Sequence, residues 1–225
     1  IIRDLVPQLT KSSVNKLGLD FLIAPEEAST LYVTVGKDVE DVELHIVNEI
    51  KEKLGAEALE NLYFSYEKIA PFVYQFVGIR KEALGKYIDV ANILGISLRS
   101  VIPWVMLLPR YVETNDPAIF IANNHGDQVV ALSELNGIFF PTTYENEQAP
   151  ESLQKLVKKL SIYKRSNPIT KIYKLNYGDI VLSEKYEMSD IEVPNAELLD
   201  EKGYELNLIA NYMLDTHKDL TNTQL

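Results

Sequence analysis

The sequence predicts an α/β fold, and three observations carry that prediction. Segments with period-two alternation and many β-branched residues, such as "STLYVTVG" at residues 29 to 36, are interleaved with segments whose apolar residues recur at helical spacing. Residues 27 to 80 read as strand, helix, strand, strand, and a further helix then leads through a strand into a three-stranded meander. The 225 residues, 46% hydrophobic and 24% charged, suffice to bury a sizeable core.

The elements follow in chain order. A short helix is expected at residues 11 to 17, and a strand at 29 to 36 closed by Gly36. In "DVEDVELHIVNEIKEKLG", Val39, Val42, Ile46, Val47 and Ile50 fall on one helical face, with Asp38 placed to cap the start and Gly55 the end. Leu44 borders this stripe, so Leu44→Asp is expected to destabilise by about 3 kcal/mol or more. Strands are expected at 62 to 70 and 72 to 80, separated at Pro71. The helix at 81 to 95 is apolar at Leu84, Ile88, Ala91 and Leu94 and stops at Gly95. A strand at 96 to 103 and a short helix bent near Pro109 precede "DPAIFIANN", "QVVALSE" and "GIFFPTTY", the three strands of the meander. A helix from Glu151 to Tyr163 and a strand at 170 to 178 follow; residues 179 to 188 fit either a helix or a strand, 189 to 195 a short strand, and 207 to 214 a last helix.

Composition excludes several classes of function. Lys plus Arg total 22 against 33 Asp plus Glu, a formal charge of −11, which opposes the phosphate neutralisation that nucleic-acid binding requires. Absence of cysteine removes disulfides, thiolate nucleophiles and cysteine zinc sites. His45, His125 and His217 are scattered without HxxxH or HExxH spacing, so no metal site is expected. No run approaches the roughly 20 apolar residues that span a bilayer. Ser29, Ser65 and Ser133 lack a Gly-x-Ser-x-Gly elbow, and Glu40, Asp41 and Glu43 are acids of a helical first turn, favoured there by the helix dipole. No catalytic residue is assigned. Six aromatics, Tyr63, Phe64, Tyr66, Phe72, Tyr74 and Phe76, lie on two neighbouring strands; alternation sends one half inward and leaves the other half facing outward, as ordinary cross-strand pairs or, in the sharper alternative, as a docking surface.

The order of elements, with the helix ending at Gly95 and Ile96 before a strand that leads to Pro103, resembles the type IV pilus assembly proteins of the PilM kind, actin-like relatives of the cell-division protein FtsA, and the cytoplasmic domain of the secretion protein GspL. The resemblance covers residues 25 to 180. It implies an actin-like (ribonuclease H-like) lobe with an inserted strand-helix-strand-strand module. The organisation expected is an N-terminal segment at 1–26, open to reading as the remnant of a longer lobe, the module at 27–80, the lobe at 81–214 and a polar tail at 215–225.

Actin-like ATPases hold nucleotide between two phosphate loops and an adenosine-binding turn, and the resemblance maps these onto weakened counterparts here. Nothing in residues 1 to 25 supplies the Asp-x-Gly first loop, since Asp20 has no glycine turn after it. The second loop would fall on "NNHGD", where Asn123, Asn124, Gly126 and Asp127 stand, and the adenosine turn on "LNYGD" with Gly178 alone. At "NNHGD" the backbone around Gly126 could cradle a phosphate with Asp127 or Asn123 on Mg²⁺; Asn and Gly equally suit a plain hairpin turn, and without an opposing loop the hairpin reading is preferred. ATP and Mg²⁺ are not expected as cofactors. The function implied is a non-catalytic cytoplasmic scaffold of a pilus or type II secretion-like assembly, open to a peripheral position at the inner membrane. Its partner would be the basic cytoplasmic tail of an inner-membrane protein. The alternative is an actin-like ATPase or sugar-kinase-like enzyme whose first lobe lies outside this chain.

Overall fold

A computed structural model describes residues 18–112, 116–124, 127–135, 137–144, 150–163, 167–175, 180, 182–183 and 185–192. The helices expected at 11 to 17 and 207 to 214 lie outside these residues. Three sheets form. Strand β1 (Gly18–Ile23) pairs in parallel only with β5 (Ser97–Pro103) among the described residues. Between them in sequence lies an antiparallel sheet of order β2-β4-β3, made from β2 (Ala28–Thr34), β3 (Leu62–Ala70) and β4 (Val73–Arg80). The third sheet has five strands in the order β10-β9-β6-β7-β8: β6 (Ala118–Asn124), β7 (Asp127–Glu134) and β8 (Gly137–Tyr144) run as an antiparallel meander, while β9 (Lys171–Leu175) and β10 (Glu187–Asp190) add in parallel beside β6.

Strand β1 was not among the expected elements. Its six residues, GLDFLI, lack alternation, and parallel pairing with a strand far away in sequence holds them extended. Within this pair Asp20, at the point where the register shifts, accepts hydrogen bonds from the Arg99 guanidinium and the Ser100 hydroxyl, so its inward carboxylate is neutralised on site.

Helix α1 (Val42–Leu54) packs its Ile46 and Ile50 against Val33, Val35, Leu62 and Phe76 of the three-stranded sheet. The cap is Asp41 rather than Asp38: its Oδ1 accepts from the Leu44 amide at 2.9 Å. Leu44 lies on the side of the helix away from Ile46 and Ile50 and is 56% exposed, so the large penalty expected for Leu44→Asp does not apply. A short helix, α2 (Ala56–Glu60), joins α1 to β3. Helix α3 (Lys81–Leu94) buries Leu84 and Ala91, leaves Ile88 exposed, and ends at Gly95 with φ 66°, a left-handed cap. A 3-10 stretch, Trp104–Tyr111, containing Pro109, connects β5 to the meander.

The five-stranded sheet is covered on both faces. Ala118, Phe120 and Ala122 of β6 point into a cluster with Val105, Leu108 and Ile138, whereas Ile119 and Ile121 point into a second with Leu153 and Val157 of α4 (Pro150–Ser161). An unbroken apolar run is what a central strand buried on both faces needs. Residues 187–190 form the exposed edge strand β10, which spans the end of the stretch open to helix or strand and the start of the short strand expected at 189 to 195.

Candidate functional site

Of the expected nucleotide residues, Asn123, Asn124 and Asp127 lie at the paired ends of β6 and β7, while Gly126 and Gly178 lie outside the described residues. Asn123, half-buried, pairs with Gln128, and Asn124 pairs with Asp127; residues 125 and 126 lie outside the described residues. One step back, Ala122 of β6 lies beside Leu175, the last residue of β9. The chain that leaves β9 toward Gly178, itself outside the described residues, therefore departs from the same sheet end as the "NNHGD" hairpin. Residues 18–23 run as a strand paired in parallel with β5. Among the described residues no three His, Asp or Glu side chains come together in a manner fit to hold a metal ion.

The aromatic docking face expected on β3 and β4 does not form. Phe64, Tyr66, Tyr74 and Phe76 all join the cluster beneath α1, and only Tyr63 and Phe72 are exposed, at 43% and 40%. Phe72 takes φ 63°, which places the hairpin turn, and not a surface stripe, at that point.

A groove of about 620 Å³ opens instead where two sheet edges approach each other. Strand β2 is the outer strand of the three-stranded sheet and β8 that of the five-stranded one. Leu31 and Leu54 form one apolar wall, Phe139, Phe140 and Pro141 the other, and Pro25 with Glu26 closes one end. A bulge shapes the β8 side: Leu132 faces Phe140 and Ser133 faces Ile138, so Phe139 is the extra residue. Its ring meets Tyr32 edge-on at 5.1 Å and Tyr163 at 4.6 Å, while Phe140 stays 43% exposed in the groove.

Below the groove the two sheets are joined by polar contacts. The Tyr32 hydroxyl donates to the Glu134 carbonyl, and burial, the largest influence, raises that hydroxyl far above the usual tyrosine range. Gln75, buried in the middle of β4, accepts from the Ile138 amide at 2.9 Å. The junction demands glycine at 137, because a Cβ there would stand 2.6 Å from both Gln75 Oε1 and Tyr32 Oη. Thr30, on the same strand and 8% exposed, lines the groove, and its Oγ1 has no hydrogen-bond partner among the described residues. This groove joins residues about 100 positions apart and leaves no local motif; the one local trace is Pro141 inside a strand, which marks an edge.

The structure is similar to two solved structures along nearly its whole length. One is the cytoplasmic domain of EpsL, an inner-membrane component of the type II secretion system of Vibrio cholerae, with a TM-score of 0.65, 11% identity, and coverage of 97% of this chain and 80% of that one. The other is the PilM-PilN type IV pilus biogenesis complex, with a TM-score of 0.64, 10% identity, and coverage of 95% and 82%. Both are actin-like, and the chain shares their fold, as the resemblance in sequence order implies. No family model and no curated protein sequence matches the chain.

Proposed function

We propose that the chain is a scaffold subunit of a pilus or type II secretion-like assembly, working at the cytoplasmic side of the inner membrane and docking a membrane-anchored protein without nucleotide chemistry. The observation that carries this reading is the apolar groove between the outer strands β2 and β8, a surface suited to holding a protein segment. The shared fold supports it, since the two similar structures are an inner-membrane secretion component and a pilus biogenesis complex. Among the described residues no helix is long and apolar enough to cross a membrane. The formal charge of −11 suits a partner segment rich in Lys or Arg.

The ATPase reading would need two facing loops with Mg²⁺ between them. The "NNHGD" turn offers asparagines where an acid is usual and the adenosine turn has Gly178 alone, so Asn123, Asn124, Gly126, Asp127 and Gly178 are read as a relic of a nucleotide site. Two measurements test the proposal together. A pull-down from solubilised inner membranes at low and high salt is expected to recover a membrane protein with a basic cytoplasmic segment, more strongly at low salt. Calorimetry with Mg-ATP is expected to show no binding tighter than about 50 μM. Tight ATP binding without a membrane partner would reverse the assignment in favour of the enzyme.

A further inference from the structure

Basic charge is gathered in one part of the chain. Residues 150–175 hold seven Lys and Arg and one acid, which leaves 15 basic against 32 acidic residues in the remainder. Two of the seven are paired in place, Lys171 with Asp116 at 2.8 Å and Lys174 with Asp190 at 3.2 Å. Lys155, Lys158 and Lys159 of α4 are exposed and have no ion-pair partner among the described residues. They stand three and four positions apart, so they share the helix face opposite Leu153, Val157 and Leu160, which are buried against the five-stranded sheet. Ile162, 53% exposed, continues the same stripe just past the helix end, and Tyr163 beside it is 46% exposed. Glu151, at the positive end of the helix, is its only acid.

We propose, resting on the membrane-side scaffold function above, that this face of α4 lies directly against the anionic headgroups of the bilayer. A convex helix face is neither a groove nor a strand edge, and it fits a planar array of charges better than a peptide segment. Its cations are all lysines, flexible hydrated point charges in which protein interfaces are depleted, whereas a fluid layer of headgroups needs no fixed fork geometry. The exposed isoleucine and tyrosine at the end of the stripe suit the boundary between headgroups and acyl chains. The acidic remainder does not forbid the contact, because charges farther than about 10 Å are largely screened and the face presented is the one felt. This face also adjoins the groove: the Tyr163 ring packs on Phe139 at 4.6 Å, and Phe139 and Phe140 line the groove. Each lysine near an anionic surface is worth about fivefold in partitioning, so three give about a hundredfold. That is weak alone, and it sets the chain's orientation on the bilayer once a membrane-anchored partner tethers it.

The test floats the full chain with vesicles of phosphatidylcholine and phosphatidylglycerol, and with phosphatidylcholine alone, at low and high salt. Binding to the mixed vesicles only, weakened by salt, is expected. The triple variant Lys155→Gln, Lys158→Gln, Lys159→Gln should lose about a hundredfold in partitioning, and arginine at the same three positions should keep it. Removing the same charge from exposed lysines elsewhere, by Lys37→Gln, Lys51→Gln and Lys86→Gln, should change it less than about twofold. Ile162→Ser should weaken it several-fold at either salt. All these side chains are exposed, so melting temperatures should stay unchanged. Equal binding to both vesicle types, a triple variant that binds as the unaltered chain does, or an equal loss in the control variant would overturn the inference. So would stronger binding to polyglutamate or duplex DNA than to the mixed vesicles, since the lysines would then serve a polyanion of another class. Recovery of a membrane partner from detergent, where no bilayer is present, reads the docking function separately. A triple variant that recovers the partner and has lost the vesicles is the expected result; vesicle binding by a chain that recovers no partner would leave the lipid contact standing and the docking function refuted.

Discussion

The two larger sheets differ in how much of their hold on the rest of the chain is apolar. The five-stranded sheet has apolar clusters on both faces, and its central strand β6 contributes to each. The three-stranded sheet packs one face under α1 and, through Ile79 of its central strand, joins a small apolar cluster with Ile23, Leu84 and Val101; toward the five-stranded sheet it makes hydrogen bonds at Tyr32 and Gln75 and a close approach at Gly137. Apolar packing is non-directional and sums over area, so it makes a stable body; a polar junction is weaker but specifies one geometry. The seam between the two sheets is where a groove persists because the edges are held at a fixed distance without being zipped together.

The largest effect is expected inside the body. Phe120→Ala removes a fully buried ring from the five-stranded core and should destabilise by about 3–5 kcal/mol, read as a lower denaturation midpoint at unchanged slope. A loss below about 1 kcal/mol would mean that this sheet is not the stable half.

At the seam the effect should be smaller but directional. Gly137→Ala places a methyl 2.6 Å from Gln75 Oε1 and Tyr32 Oη, and overpacking of that kind costs about 1–3 kcal/mol. The signature to seek is faster hydrogen exchange at Ile138, whose amide is held by Gln75, while β6 amides keep their protection. Uniform loosening of both sheets would erase the distinction drawn between them.

Alkaline pH probes the same seam and its neighbour. Burial raises the Tyr32 hydroxyl, and burial with the hydrogen bond to Glu27 pushes Tyr87 from 10.0 up to about 12. The folded chain keeps these phenols neutral while the unfolded chain releases their protons near pH 10. Their contribution is therefore complete below pH 10 and is lost as pH rises through the folded values. The denaturation midpoint should fall above pH 10, and Tyr87→Phe should make that fall shallower. A midpoint flat from pH 9 to 12 would contradict the burial assigned to both.

The smallest effects belong to the surface and the groove. Leu44→Asp should change stability by less than about 0.5 kcal/mol, because Leu44 faces solvent. Thr30→Val should stabilise by about 1 kcal/mol, since it deletes a buried hydroxyl that the protein leaves without a partner. Loss of stability on that change would mean the hydroxyl is satisfied.

Much of this architecture was legible in the residues. The alternation of "STLYVTVG", the helical stripe through Ile46 and Ile50 and the glycine stop at Gly95 each act over a few neighbours, so period and cap chemistry reveal them. What depends on distant pairing was not. Strand β1 is defined by β5 about 80 residues later, and the sheet residues Val33, Leu62 and Phe76 decide which face of α1 is covered, leaving Leu44 on the surface. Four of the six aromatics on β3 and β4 share one parity once the strands are paired, so they went inward together and left no outward stripe. The groove is less legible still, because Thr30 and Phe140 reveal nothing until β2 and β8 are set edge to edge.

Docking at this seam is the central claim, and hydrogen–deuterium exchange of the full chain, with and without its purified membrane partner, tests it most directly. Protection is expected on the groove edges of β2 and β8, around residues 28–32 and 139–143, with the β6–β7 hairpin unchanged and Mg-ATP without effect on either. Protection confined to the β6–β7 hairpin, or produced by Mg-ATP in place of the partner, would contradict the account.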